Sequence, residues 1–60
     1  MKTYAVTFMM GLTLVKGRDR TDAERKAERL FGTAHGPYRA KVATPEDDAY
    51  VRAMGGVIHE

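Results

Sequence analysis

The chain holds two imidazoles, His35 and His59, and no cysteine. A zinc-type site needs three or four converging ligands. Two histidines so far apart along the chain do not supply them, and His35 stands in "HGP", a turn signal. Serine is also absent. Threonine and lysine remain as nucleophiles, but nothing in the sequence sets a base beside them. Asp22, Glu24, Glu46 and Asp47 fall at helix starts, where capping and the helix dipole account for them. General acid–base work also needs a desolvated cleft, which a small sheet with two helices rarely encloses. Gly17 precedes a polar turn without the spacing of a phosphate loop. The expectation is therefore no catalytic residue, no metal, no cofactor and no enzyme.

Binding chemistry has more to draw on. Residues 1–44 carry nine Lys/Arg against four Asp/Glu, whereas residues 45–60 carry Arg52 against Glu46, Asp47, Asp48 and Glu60. The chain is electrically two-ended and can attract opposite charges at each end, including those of a second copy of itself. Arg18, Arg20, Arg25, Arg39 and Lys41 are the candidates for a nucleic-acid-binding patch, since clustered cations bind phosphate backbones through counterion release. Acids interrupt the bases in "RDRTDAERKAER", and the aromatics fall on core positions rather than on a stacking platform. A protein partner is the leading expectation. Its candidate contacts are Met9 and Met10, flexible apolar groups suited to adaptable surfaces, together with the charges Arg18 and Arg20 or the acidic pair Asp47 and Asp48.

These side chains need elements to hold them. "YAVTFMMGLTLV", residues 4–15, is free of charge, and its even positions Tyr4, Val6, Phe8, Met10, Leu12 and Leu14 alternate as a half-buried strand does. It reads as a hairpin with the three-residue loop Met9-Met10-Gly11, pairing Phe8 with Leu12 and Val6 with Leu14. One long strand with a bulge at Gly11 is the other solution. In the hairpin, the odd positions Thr3, Ala5, Thr7, Thr13 and Val15 would form a flat, open face suited to a docking partner if both helices cover the other face.

After the polar link "KGRDR", the stretch "TDAERKAERLFG" reads as a helix. Thr21 and Glu24 form its capping box, Ala23, Ala27, Leu30 and Phe31 its apolar stripe, and Gly32 its stop. "GTAHGP" is a loop and "YRAKVA" a strand with Tyr38, Ala40 and Val42 inward. "TPED" opens a second helix whose apolar side is Ala49, Tyr50, Ala53 and Met54, ended by Gly55-Gly56. Val57-Ile58 is a short final strand or a packed tail. The reading is a single α+β domain over residues 1–60, ββαβα with a small antiparallel or mixed sheet. Its expected core is Tyr4, Val6, Phe8, Leu12, Leu14, Leu30, Phe31, Tyr38 and Val42.

Sixty residues bury little surface, so oligomerisation or docking is the external source of stability in a chain without disulfides. The uncharged run is too short to span a bilayer, which takes about 20 residues, so no membrane partner is expected. No secretory signal pattern is evident, which makes the cytoplasm the expected location.

The run "YAVTFMMGLTLVKGRDRTDAERKAERLFG" resembles a pattern common in small phage-encoded accessory proteins: a hairpin with glycine at its turn, a short polar link, then an Ala/Glu/Arg helix. The resemblance covers about half the chain. It implies an inhibitor that binds a host enzyme or defence complex, as anti-CRISPR proteins do, and it brings no motif residue with it.

Overall fold

The computed structural model describes all residues, 1–60. Strands β1 (Lys2–Phe8) and β2 (Gly11–Gly17) are followed by helix α1 (Arg20–Phe31) and a single 3-10 turn, Thr33–His35. Strand β3 (Arg39–Val42), helix α2 (Pro45–Ala53) and strand β4 (Ile58–His59) complete the chain. The four strands form one mixed sheet in the order β3-β1-β2-β4. β1 lies antiparallel to both β2 and β3, and β4 runs parallel to β2. This is the expected α+β arrangement with a hairpin start and a short last strand.

The hairpin differs from the sequence reading by one residue. Its loop is Met9-Met10 alone, with Phe8 opposite Gly11, Thr7 opposite Leu12 and Ala5 opposite Leu14. Gly11 takes the positive φ that the turn signal suggested, 125°, but it follows the loop instead of lengthening it. A one-residue change of register sends every side chain of a strand to the other face. Leu12 and Leu14 therefore leave the face of Val6 and Phe8 and lie with Ala5.

The reason is that both faces of the sheet are covered. On one, Tyr4, Val6, Val15, Tyr38 and Ala40 pack beneath Ala23 and Ala27 of α1, with Phe8 and Phe31 at the margin. Phe8 stacks on Tyr38 with centroids 5.1 Å apart and meets Phe31 at 4.7 Å. On the other face, Ala5 and Leu14 pack beneath Val51 of α2, flanked by Leu12, Ala43 and Ile58. The open upper face expected from the sequence is thus closed at its centre by α2. Leu30 and Val42, expected in the core, stand 53% and 55% exposed. Ala49, Tyr50, Ala53 and Met54 face outward, and Val51 is the one buried residue of the second helix.

α1 starts two residues earlier than the Thr21 box would place it. Asp19 is its N-cap, its carboxylate accepting the Asp22 amide at 2.8 Å, and aspartate outranks threonine at this position. Glu24, freed from capping, reaches β3 and accepts the Ala40 N–H at 2.8 Å. That amide points away from β1, so Glu24 blocks the outer edge of the sheet where a strand from another molecule would pair. α2 matches its sequence signals: Thr44 and Asp47 form a reciprocal capping box with Pro45 in the first turn. Its end folds back, the Gly55 and Gly56 amides donating to the Arg52 and Val51 carbonyls.

Alanine at 23 and 27 lets α1 lie close on the sheet, and Gly17 completes the approach. A Cβ added at Gly17 would sit 3.0 Å from the Ala23 backbone nitrogen and 3.2 Å from its Cα. Gly17→Ala is therefore expected to lower stability by about 1–3 kcal/mol, the usual cost of overpacking. Because the nearest obstacles are backbone atoms, Ala23→Gly should not restore it. Urea denaturation of both variants checks this, and full rescue by the second change would contradict it.

Candidate functional site

Met9 and Met10 sit at the hairpin tip, each 69% exposed. The tip is braced from one side, since the Met9 N–H donates to the His35 carbonyl at 3.0 Å. Arg18 and Arg20 lie beyond the far end of β2, a strand whose seven residues span roughly 20 Å. Tip and arginines therefore cannot form one patch.

Asp47 and Asp48 lie in the first turn of α2, and both are engaged within the chain. Asp47 accepts the Thr44 amide and faces the Lys41 ammonium at 3.4 Å. Asp48 holds Arg52 at 2.8 Å.

What the structure does bring together is a groove between α2 and the hairpin. It is a shallow, open depression of about 640 Å³ lined by Thr7, Gly11, Leu12, Glu46, Asp47 and Tyr50. Leu12 and Tyr50 supply its apolar floor and wall, and Gly11 adjoins the Met9-Met10 turn. Met54 lies one turn on from Tyr50 along the same flank of α2. Arg39 stands opposite Thr7 across the strand pair and projects to the same side of the sheet. Arg39 and Glu46 make no ion pair within the chain. Sequence reasoning set Thr7 on the open docking face but missed Leu12 and Tyr50, which it placed inside, and Glu46, which it read as a helix-start residue. The signal that could have found them is Val51, whose burial turns its neighbour Tyr50 outward.

The basic residues divide between two sides of the molecule. Arg18, Arg25 and Arg29 line a shallow depression of about 480 Å³ on the outside of α1, together with Asp22 and Glu28. Arg20 is not among its lining residues. Arg39 and Lys41 lie across the sheet, on the α2 side. Asp22 organises the α1 surface: it accepts the Arg18 amide at 2.9 Å and faces Lys26 at 3.8 Å.

The Arg18 amide, Lys26 and Arg18 hold the Asp22 carboxyl below its ordinary 3.8. The Thr44 backbone amide, Thr44 hydroxyl and Lys41 do the same for Asp47. A carboxylate with a depressed folded-state pKa contributes stability that is present above its unfolded-state value and is lost as pH falls through the folded-state one. The chain is thus expected to lose stability on acidification below about pH 4. Thermal melts of Asp22→Asn and Asp47→Asn check this: each should be less stable than the parent at pH 7 and closer to it at pH 3.

No three His, Cys, Asp or Glu side chains are grouped to hold a metal ion. The His35 Nδ1 is buried without a hydrogen-bond partner, and the His59 ring packs edge-on against Phe31 at 5.7 Å. No helix is long and apolar enough to cross a membrane. Searches of protein-family models, of curated proteins and of solved structures returned no match.

Proposed function

We propose that this chain is a small non-enzymatic protein-binding module that acts by surface complementarity. The observation that carries the reading is the groove floored by Leu12 and Tyr50, opening beside the exposed Met9-Met10 turn. The groove and the Met9-Met10 turn each present apolar groups to solvent that a partner can cover. Methionines at a turn tip adapt to a partner's contour at low cost. The hairpin–helix resemblance supports inhibition of a host protein complex, as by a phage or mobile-element protein in the cytoplasm.

Pull-down from host lysate tests it. The Met9→Asp, Met10→Asp double variant and Tyr50→Asp should each lose the partners that the parent retains. Unchanged partners in both would overturn the contact surface. All these positions are exposed, so the fold survives the substitutions.

A nucleic-acid reading keeps one specific support, the convergence of Arg18, Arg25 and Arg29 in a single depression. Affinity for a DNA or RNA duplex should then fall steeply with salt, and Arg25→Ala should flatten the slope. Absence of binding at low salt removes that reading.

A further inference from the structure

We infer that α1 closes both sides of the sheet against a strand from another molecule, Glu24 holding one side and Lys26 the other. Ala23 and Ala27 face the sheet. At about 100° per residue, Glu24 and Lys26 fall roughly 80° to either side of the line those alanines define. The two small residues let the helix lie low, so both flanking side chains reach the strands beneath. Glu24 accepts the Ala40 N–H of β3 at 2.8 Å, and Lys26 Nζ donates to the Lys16 carbonyl of β2 at 3.0 Å. An acceptor meets a donor on one side, and a donor meets an acceptor on the other.

Both of those backbone groups point out of the β1–β2–β3 ladder. The Ala43 N–H donates to the Thr3 carbonyl, so Thr3 turns its groups toward β3. Lys16, opposite Thr3 on β2, therefore turns its own away from β1. β4 pairs with β2 at Leu14 and Val15, one residue short of Lys16. On the other side β3 is the outer strand. Unpaired groups at such edges template a further strand, and Val42, 55% exposed at the end of β3, would give it apolar contact. Arg39 and Lys41 set like charges on the same strand, a second deterrent to pairing. A partner therefore engages this chain through side chains and does not extend its sheet.

Hydrogen exchange and sedimentation velocity test the inference on the whole chain, the second in about 0.5 M salt to screen Arg39 and Lys41. In dilute solution the Ala40 amide should exchange roughly tenfold or more faster in Glu24→Ala than in the parent. Glu24→Gln keeps an acceptor and should retain most of the protection. The E24A/K26M double variant should sediment as dimers and larger species at concentrations where the parent does not. The E24Q/K26R variant keeps a matching group at each edge and should sediment as the parent does.

Unchanged exchange at Ala40 in Glu24→Ala overturns the role given to Glu24. An E24A/K26M chain that keeps its fold by circular dichroism and sediments as the parent overturns the inference as a whole. If that chain unfolds, Glu24→Ala decides alone: association supports the inference, and parental sedimentation overturns it.

Discussion

Val51→Asp is expected to release α2 from the sheet, while Tyr50→Asp, one residue away, leaves the fold intact. Val51 is the only residue of α2 inside the protein, packed on Ala5 and Leu14. Burying a valine side chain contributes about 1.5–3 kcal/mol, and a carboxylate in its place adds the cost of desolvating a charge. The chain avoids the full penalty by letting the helix go, so the loss is capped at the free energy of docking α2. Tyr50 is exposed, where substitutions usually stay within about 0.5 kcal/mol. Hydrogen exchange reads the difference directly. In Val51→Asp the α2 amides should lose protection while those of α1 and the β1–β2 pair keep theirs. Equal protection in the two variants would show that α2 is held by something other than Val51.

The contrast between positions 50 and 51 marks where the sequence stopped being informative. Signals that act within four or five residues were legible. Thr44, Pro45 and Asp47 specify the start of α2, Gly32 and Gly55 stop the helices at positive φ, and Gly11 announces a turn nearby. The rotation of α2 about its axis is a longer-range property. Ala49, Tyr50, Ala53 and Met54 form a plausible apolar stripe, yet the helix is fixed at both ends by other parts of the chain. Lys41 ties its first turn to β3 through Asp47, and β4, pairing with β2 just beyond Gly56, holds its other end. Those two restraints turn Val51 inward.

The hairpin register was hidden for a related reason. Period-two alternation identifies a strand but does not say how many faces are buried. Apolar residues occupy both parities of β2, with Leu12 and Leu14 on one and Val15 on the other. If one face alone is covered, the three-residue loop gives the better pattern. Two covering helices reverse that choice, because α2 needs an apolar floor and Ala5 with Leu14 provides it. The candidate site followed from the same step. Once Leu12 belongs to the α2 side and Tyr50 faces outward, a groove between them is the consequence. The exposed methionines, by contrast, were readable from the turn alone.

Leu14→Ala should come close to unfolding the chain. Leu14 is fully buried, one of the three largest such side chains, alongside Val6 and Val15. Truncating a buried leucine costs about 2–5 kcal/mol. A domain of this size has roughly 3–9 kcal/mol in total, so most of the margin is removed. Leu30→Ala, at a position that sequence patterning also put in the core, should change stability by less than about 1 kcal/mol, because more than half of that side chain is already in water. Urea midpoints of the two variants give the first comparison. Double-mutant cycles give the sharper one. Leu14 and Val51 share a cluster, so Leu14→Ala and Val51→Ala should couple by about 0.5–3 kcal/mol. Leu14 and Val6 point to opposite faces, and their truncations should add to within about 0.5 kcal/mol. In the three-residue-loop register those two would be direct partners on one face, and the coupling would appear between them instead. The cycle therefore decides, in solution, which face of the sheet Leu14 occupies, and with it whether Leu12 is free to floor the groove.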